Sequence, residues 1–541
     1  MKRYLLRTIA IWVRGLMLAL LSVYLVALFT GYARAAVKFA RTYGGGNQDE
    51  AQCVQQTSDG GYIAGGVTYT FGAGTGDVFL IKTDANGNLQ WAKTYGGTDN
   101  DWVFSVQQTT DGGYIIAGNT WSFGAGGSDI LLIKTDANGD VQWAKAYGGT
   151  DNEWAYSVQQ TSDGGYIVAG WTNSFGAGGW DALLIKTDAN GNVQWAKTYG
   201  GTNWDQASSV QQTSDGGYIV SGVTNSFGAG NDDFFLIKTD ANGNLQWAKT
   251  YGGTNEERAY SVRQTSDGGY IVAGWTNSFG AGGWDALLIK TDANGNRQWA
   301  KTYGGTGDEY TWTSLQQTTD GGYIVSGVTN SFGAGDWDIL LIKTDANGNL
   351  QWAKTYGGTG NEVRPYVRQT SDGGYIVASW TRSFGAGNFD AFLIKTDANG
   401  NIGSCGIVGN ASPTVTEPSV TVTTVTTPPL SVSSVSLTPG SPSPTITSPT
   451  PTVNAPCPLS DDNELGISES CKPVSGLITP YKGGIKVIGS GEFEVKVYNV
   501  SGVMVKSIKG KDEVKLELSR GVYFVEVVSG GKVLREKVVV R

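Results

Sequence analysis

The sequence contains no histidine, and its 541 residues hold only 3 Met, 4 Cys and 14 Pro. Without an imidazole there is no Ser-His-Asp or Cys-His nucleophile system, no imidazole metal site and no side chain that titrates near neutrality without being perturbed. Charged residues are scarce, at 16%. Long apolar runs are scarcer still: 15–30 (GLMLALLSVYLVALFT) is one, and no second run of that length follows. What is abundant is Gly, with 80 residues, and aromatics, at 11%. That balance fits neither a disordered chain nor an ordinary helical protein, and suits many short strands joined by tight turns. The net charge is -9 with the five basic residues of the first 35 positions, which carry no acid, and -14 without them. Such acidity argues against nucleic acid as a partner.

The basic start, the apolar run and Ala33-Arg34-Ala35 together read as a secretory signal over 1–35, cleaved after Ala35 or Ala36. An uncleaved signal-anchor helix is the alternative, and it would be the chain's membrane contact. Either way the remainder is expected outside the cytoplasm.

Self-comparison is the most informative step. The Asp of DGGY recurs at Asp59, Asp111, Asp163, Asp215, Asp267, Asp320 and Asp372, a step of 52 residues except for one of 53. The extra residue falls in TGDEYTWTSL of the sixth copy. Each unit has four β-rich runs, in the third copy SVQQT, GYIVAGWT, DALLIKTD and VQWAKTYG, separated by Asp-Gly-Gly and Asn-Gly turns of hairpin type. Four antiparallel strands per repeat is the pattern of a propeller blade, with an open solenoid as the competitor. The ends of the array decide. The seventh copy stops after its third strand, and the missing fourth strand stands at the N-terminus as Val37 to Tyr43. A ring gains closure by pairing its two ends, whereas a solenoid has no use for the permutation. The expected fold is all-β: a closed seven-bladed propeller over 37–407.

The succession of YGG, an acidic turn, DGGY, G-x-T-x-S-F, an Asp before an apolar strand, and DANGN resembles the secreted seven-bladed propeller repeats of bacterial and archaeal surface proteins. The resemblance implies an extracellular propeller, usually without an assigned reaction. WD and kelch signatures are absent, and DGGYIV stands where sialidases have the Gly-x-Thr-Trp half of their box.

From 411 to 456 the composition turns to Thr, Ser, Val and Pro; ten prolines lie here, and Glu417 is the single charge. The segment 408–473 reads as an exposed, stiff linker or stalk. In an exported chain, Cys457 and Cys471 suggest a local disulfide, and Cys53 and Cys405, in the first and last blades, suggest a clasp; free or metal-bound thiols are the alternative. Residues 474–541 show six short β runs and read as a small β-sandwich. VYNVSGVMVKSI and LSRGVYFVEVVSGGKVLREKVVV resemble the C-terminal sorting domains of the type IX secretion system. That resemblance implies surface delivery, with the secretion or anchoring machinery as a partner.

DGGY and DANGN barely change between copies, while the TDNEWAY-type and TNSFGAGGWD-type connections vary. In a four-stranded blade these variable connections share one face, where function is expected. Trp102, Trp121, Trp154, Trp171, Trp180, Trp204, Trp275, Trp284, Trp312, Trp337 and Trp380 fall in or beside them. Aromatic faces beside Asn and Asp suit sugar rings, although wedging between blades is an equally physical role for each ring. A carboxylate also recurs at Asp49, Asp101, Glu153, Asp205, Glu257, Glu309 and Glu362. These acids either ring the channel mouth as a Ca²⁺ site or cation-lined pore, or cap their own turns. Asp77, Asp129, Asp181, Asp233, Asp285, Asp338 and Asp390, which open the third strands, pose the same choice. DANGN lacks the Gly and Glu of a calcium loop. Gln159-Gln160 becomes Arg263-Gln264 and Arg368-Gln369 in copies five and seven, breaking the symmetry.

The expected function is a non-catalytic, secreted or cell-surface propeller that binds a surface glycan or protein through its Trp/Asp-rich loop face, without a cofactor. A polysaccharide hydrolase or lyase is the alternative, for which Asp308-Glu309-Tyr310 is the one blade-specific cluster. A structural surface-layer role is a third.

Overall fold

The computed structural model describes residues 37–403 and 406–425 and, beyond them, the segments 431–434, 438–440, 445–447, 452–457, 476–481, 484–499, 504–518, 521–529 and 532–540. Every element among them is a strand. The signal segment, Cys405 and Cys471 lie outside the described residues.

Seven four-stranded antiparallel blades form the ring. In blade 3 the strands are Glu153–Gln160, Tyr166–Thr172, Asp181–Thr187 and Val193–Gly200. The strand Phe39–Gly44 pairs with Asp390–Thr396 of the last repeat, Ala40 opposite Ile394. The permuted strand thus closes blade 7, as the missing WAKTYG run requires. The core lies between blades. One cluster joins Ile167, Leu184 and Tyr199 of blade 3 to Val210, Tyr218 and Phe235 of blade 4, and the pattern recurs at the other seams.

The repeated residues explain themselves as seam and turn devices. The fourth-strand Tyr donates its hydroxyl hydrogen to the Gly carbonyl of the next DANGN turn, as Tyr199 does to Gly243 at 2.6 Å. In the equivalent turn of blade 3, which receives Tyr147, Asp188 accepts the amides of Asn190 and Asn192 at 2.9 and 2.8 Å, and Gly191 takes the left-handed φ of 73°. Its carboxylate is thereby occupied by backbone. The Asp of DGGY accepts from the buried third-strand Lys, Lys186 to Asp163 at 2.8 Å. Burial would raise the Asp163 pKa, but the bonds from Lys186, Thr161 and Gly165 outweigh it and hold the group at about 2.

Two expectations are corrected. Cys53 is a free, buried thiol whose Sγ donates to the Gly65 carbonyl. It packs with Ile63, Leu80 and Val103 in the cluster between blades 1 and 2, turned away from blade 7, so the clasp to Cys405 does not form. The Ser/Thr/Pro segment, read as a stalk, is a belt. Its short strands add a fifth, outermost strand to each blade: Val408–Ala411 on blade 6, Thr414–Thr416 on blade 5, Thr421–Val425 on blade 4 and Ser431–Ser434 on blade 3. Thr438–Gly440 and Thr445–Thr447 follow on blades 2 and 1, and Thr452–Cys457 covers Phe39–Gly44 of blade 7. The belt runs backwards round the ring. Prolines are tolerated because an outermost strand has one side that needs no ladder bond.

The chain divides into compact units at Asp462/Asn463. The second has five antiparallel strands, in which the long Gly484–Asn499 pairs Gly476–Tyr481 with its first half, Gly521–Ser529 with its second, and Met504–Glu517 along its other edge. Lys532–Val540 extends the Gly521–Ser529 edge, and Val495, Val497 and Val525 are buried.

Candidate functional site at the channel mouth

The second-to-third and fourth-to-first connections meet at one end of the ring. Asp181 accepts the Ala177 and Gly178 amides at 3.0 and 3.2 Å, and the Asp205 amide donates to the Trp180 carbonyl at 2.7 Å. The seven recurrent acids sit inside this framework rather than on the channel. Asp49, Asp101, Glu153, Asp205, Glu257, Glu309 and Glu362 are fully buried. Each accepts the amide of the second Gly of its own YGG turn, Gly149 to Glu153 at 2.6 Å for example. A Thr hydroxyl also binds them, Thr172 to Glu153 at 2.6 Å. Burial pushes the pKa values of Asp49, Asp101, Asp205 and Glu362 up. They are turn staples, and a pore of carboxylates is not what they build. Among the described residues no cluster of three or more acids or Cys is arranged to hold a metal ion.

The third-strand Asp residues are staples of the same kind, but less fully satisfied. Asp181 keeps Oδ1 buried without a hydrogen bond. A methyl group on Gly200 would meet Asp181 Oδ1 at 2.0 Å and Asp205 Oδ2 at 2.9 Å, so both carboxylates converge on that glycine. Burial, then the Asp205 charge, lifts Asp181 to about 6.

Above this framework the tryptophans form a continuous arc. Trp102 contacts Trp121 and Trp154 edge-on, with centroids 5.0 and 5.9 Å apart. Trp154 stacks on Trp171 and Trp171 on Trp180, at 5.6 and 4.5 Å. Trp180 leads to Trp204 at 6.2 Å. The Arg258 guanidinium then bridges Trp204 and Trp275, 5.2 and 5.4 Å from their centroids, anchored by Asp232 at 2.7 Å. The arc continues through Trp275, Trp284 and Tyr310 to Trp312 and Trp337. Trp380 pairs with Phe389 on blade 7. Not all the candidates are presented equally. Trp171 and Trp275 are buried at 6% and 5% exposure and support the others, whereas Trp180, at 41%, offers a free face.

Inside the arc the first strands line the axis. In blades 2 to 5 each has a bulge beside its fourth residue, Phe104, Tyr156, Ser208 or Tyr260. Blade 6, with the inserted residue, slips register between Tyr310 and Ser314, and blade 7 between Val363 and Tyr366. Arg364 in that last bulge has a φ of 51°, the one left-handed non-glycine among the described residues. The bulged side chains, with Gln52, Gln206, Arg258 and Tyr366, enclose an axial cavity of about 280 Å³. An adjoining cleft of about 370 Å³ is lined by Glu50, Gln52, Tyr69, Trp102, Trp312, Arg364, Trp380 and Phe389. Glu50 is 7% exposed, hydrogen-bonded by Gln52 at 2.7 Å and raised in pKa by burial, Arg364 pulling the other way. Sequence reading did not single out Glu50, Gln52, Phe104, Tyr156, Tyr260 or Arg364. The signal was present: the second and fourth first-strand positions differ in nearly every copy, beside Gln-Gln positions that rarely do.

The geometry defines a seven-bladed propeller followed by a smaller β unit, and comparison with known proteins bears on that second unit most directly. Residues 479–541 match the Secretion system C-terminal sorting domain. The protein is therefore secreted or displayed at the cell surface. The regulatory protein FlaEY of Caulobacter vibrioides (strain ATCC 19089 / CIP 103742 / CB 15) is 29% identical over 162 residues, 25% of this chain, and the match spans only 17% of that relative. Among solved structures, the NanB sialidase of Streptococcus pneumoniae aligns with a TM-score of 0.36 and 9% identity over 66% of this chain and 70% of that one. A eukaryotic initiation factor aligns with a TM-score of 0.30 and 10% identity over 67% and 99%. Likeness at that level carries no argument about ligand or chemistry.

Proposed function

We propose that the protein is a surface-displayed, non-catalytic binding propeller that holds a glycan at the aromatic mouth. The observation that carries this reading is Trp180, an exposed indole stacked on a buried one at 4.5 Å within an arc that runs from blade 2 to blade 6. A ring held flat and solvent-facing presents its π face to the C–H face of a sugar, and Asn and Asp side chains of the adjacent loops supply directional partners for hydroxyls. The axial cavities beneath give a chain end somewhere to enter.

A glycan array probed with the mature full-length chain, with Ca²⁺ and then with EDTA, tests the reading. Retention that falls at least tenfold in W180A supports it, and no retention on any glycan sinks it in favour of a protein ligand or a structural surface role.

One observation favours a polysaccharide-active enzyme as the second reading: Glu50, Trp312 and Arg364 break the repeat together at one cleft. A hydrolase needs two carboxyl groups flanking the scissile bond, and Glu50 is the one acid lining either mouth cavity. Release of soluble product, abolished by E50Q, would move the protein to that class.

A further inference from the structure

Below the mouth, toward the DGGY end, the axis opens into a third cavity of about 600 Å³. Its wall is a ring of glutamines with two exceptions. In five blades the ring Gln is a seam latch: Gln159 Oε1 accepts the Gln212 amide at 2.6 Å, and Gln55, Gln107, Gln211 and Gln316 repeat the bond at 2.7–2.8 Å. In blades 5 and 7 the position is Arg263 and Arg368, which have no acceptor oxygen to offer. The exchange gives up two seam bonds and introduces two cations.

Those cations are uncompensated. Arg263 Nη1 donates to the Val262 carbonyl at 2.7 Å and to Ser209 Oγ at 3.4 Å, and Arg368 donates to the Tyr366 hydroxyl and to Ser314 Oγ at 3.3 Å. Neither forms an ion pair among the described residues, and no Asp or Glu lines the cavity. The two lie within electrostatic reach, since the Arg368 charge, after burial, presses the Arg263 pKa below its ordinary value. A chain with net charge -9 has placed two half-buried guanidinium groups together with no acid between them. A guanidinium fork presents parallel N–H donors that bind two oxygens of a carboxylate or of a tetrahedral oxyanion such as sulfate.

We propose that this cavity binds a small oxyanion, a carboxylate or sulfate, between Arg263 and Arg368 beside Tyr366. Tyr366 also lines the cavity above, which shares Gln52, Trp312 and Arg364 with the mouth cleft, so Tyr366 stands between this site and the spaces nearer the mouth. The oxyanion is either free or the acidic group of a sugar. The site stands apart from the tryptophan arc and is tested separately.

The test is isothermal titration of the mature full-length chain with sodium sulfate, sodium glucuronate and glucose at constant ionic strength, for wild type, R263Q, R368Q and W180A. Gln occupies this position in five blades, so both charge variants retain a side chain the ring accommodates, and the R263Q and R368Q circular-dichroism spectra check folding. The expected result is saturable binding of an anion but not of glucose, weakened at least tenfold by either Arg variant and unchanged in W180A. Binding of sulfate and glucuronate alike identifies a free oxyanion as sufficient, and binding of glucuronate alone identifies a sugar acid. Binding of neither anion, or equal binding by folded R263Q and R368Q, overturns the proposal. Loss in W180A as well would also overturn it, by placing the anion at the mouth.

Discussion

Replacing Asp181 with Asn asks whether the buried carboxylates of the loop framework are held against their preferred charge state. Asp181 Oδ2 accepts two amides, which an Asn carbonyl oxygen can accept equally, while Oδ1 is buried without a partner and converges with Asp205 on Gly200. The folded group titrates at about 6 and the unfolded one at 3.8. Between those values the unfolded chain loses its proton first, so the stability this group contributes is full below pH 3.8 and is lost as pH rises through 6. A shift of about 2 units corresponds to ~3 kcal/mol lost by pH 7.5. Asn does not titrate, so whatever the substitution itself costs is the same at both ends of the range. The quantity to measure is therefore a difference of differences: urea unfolding followed by tryptophan fluorescence, wild type against D181N, at pH 4 and pH 7.5. Because the unfolded group is already more than half ionised at pH 4, D181N should gain ~2.4 kcal/mol relative to wild type between the two pH values, and the side-chain amide can add a bond to Asp205. A double difference of zero, or one of opposite sign, would refute the reasoning by showing that the carboxylate is carried as an anion at no cost.

Other outcomes follow from single contacts. Tyr199→Phe removes a buried hydroxyl and leaves the Gly243 carbonyl unpaired, which should cost ~1–2 kcal/mol in the same unfolding assay. Phe39→Ala, in the strand that closes the ring, empties a fully buried site against Tyr62 and should cost ~3–5 kcal/mol, with hydrogen exchange faster at Asp390–Thr396 than at an internal third strand. Arg364→Gly relieves a left-handed backbone and should stabilise by ~1 kcal/mol while weakening glycan retention, a trade of stability against function. Burial pushes the Cys53 thiol up to about 12, so Cys53 should resist alkylation at pH 8 until the chain is denatured, as read by peptide mass spectrometry.

Much of the ring was legible because its devices repeat. DGGY, DANGN and QWAKTYG each mark a turn or seam contact made in every blade, and the displaced Val37-to-Tyr43 run announced closure. The belt was not legible as structure. Each of its runs is only three to six residues long, too short for alternation such as Ser419-Val420-Thr421-Val422 to stand out, although Ala411 and Val420 do pack into the ring's core; the prolines that suggested a stalk are compatible with outermost strands. Seven such runs, one for each blade, were the clue available. The Cys53 clasp failed on direction: two blades can be neighbours while a side chain faces the other seam. At the site, counting tryptophans found the arc but could not sort the presented ring, Trp180, from its buried support, Trp171. The axial residues were missed because bulges decide which side chains reach the axis, and a one-residue register slip leaves little trace in sequence beyond the insertion of blade 6.

The belt also changes what a pull on the tail would do. A load applied between a ligand held at the mouth and the sorting domain passes through residues 408–457, laid on the ring as short strands in series. Such a line yields one blade at a time, from blade 7 back to blade 6, rather than shearing all contacts at once. The fifty residues it holds would span roughly 160 Å when drawn out. The ring itself, closed by Phe39–Gly44, need not open for that length to be released. On the proposed reading of the mouth, the belt would serve as a tether stored on the rim of the ring.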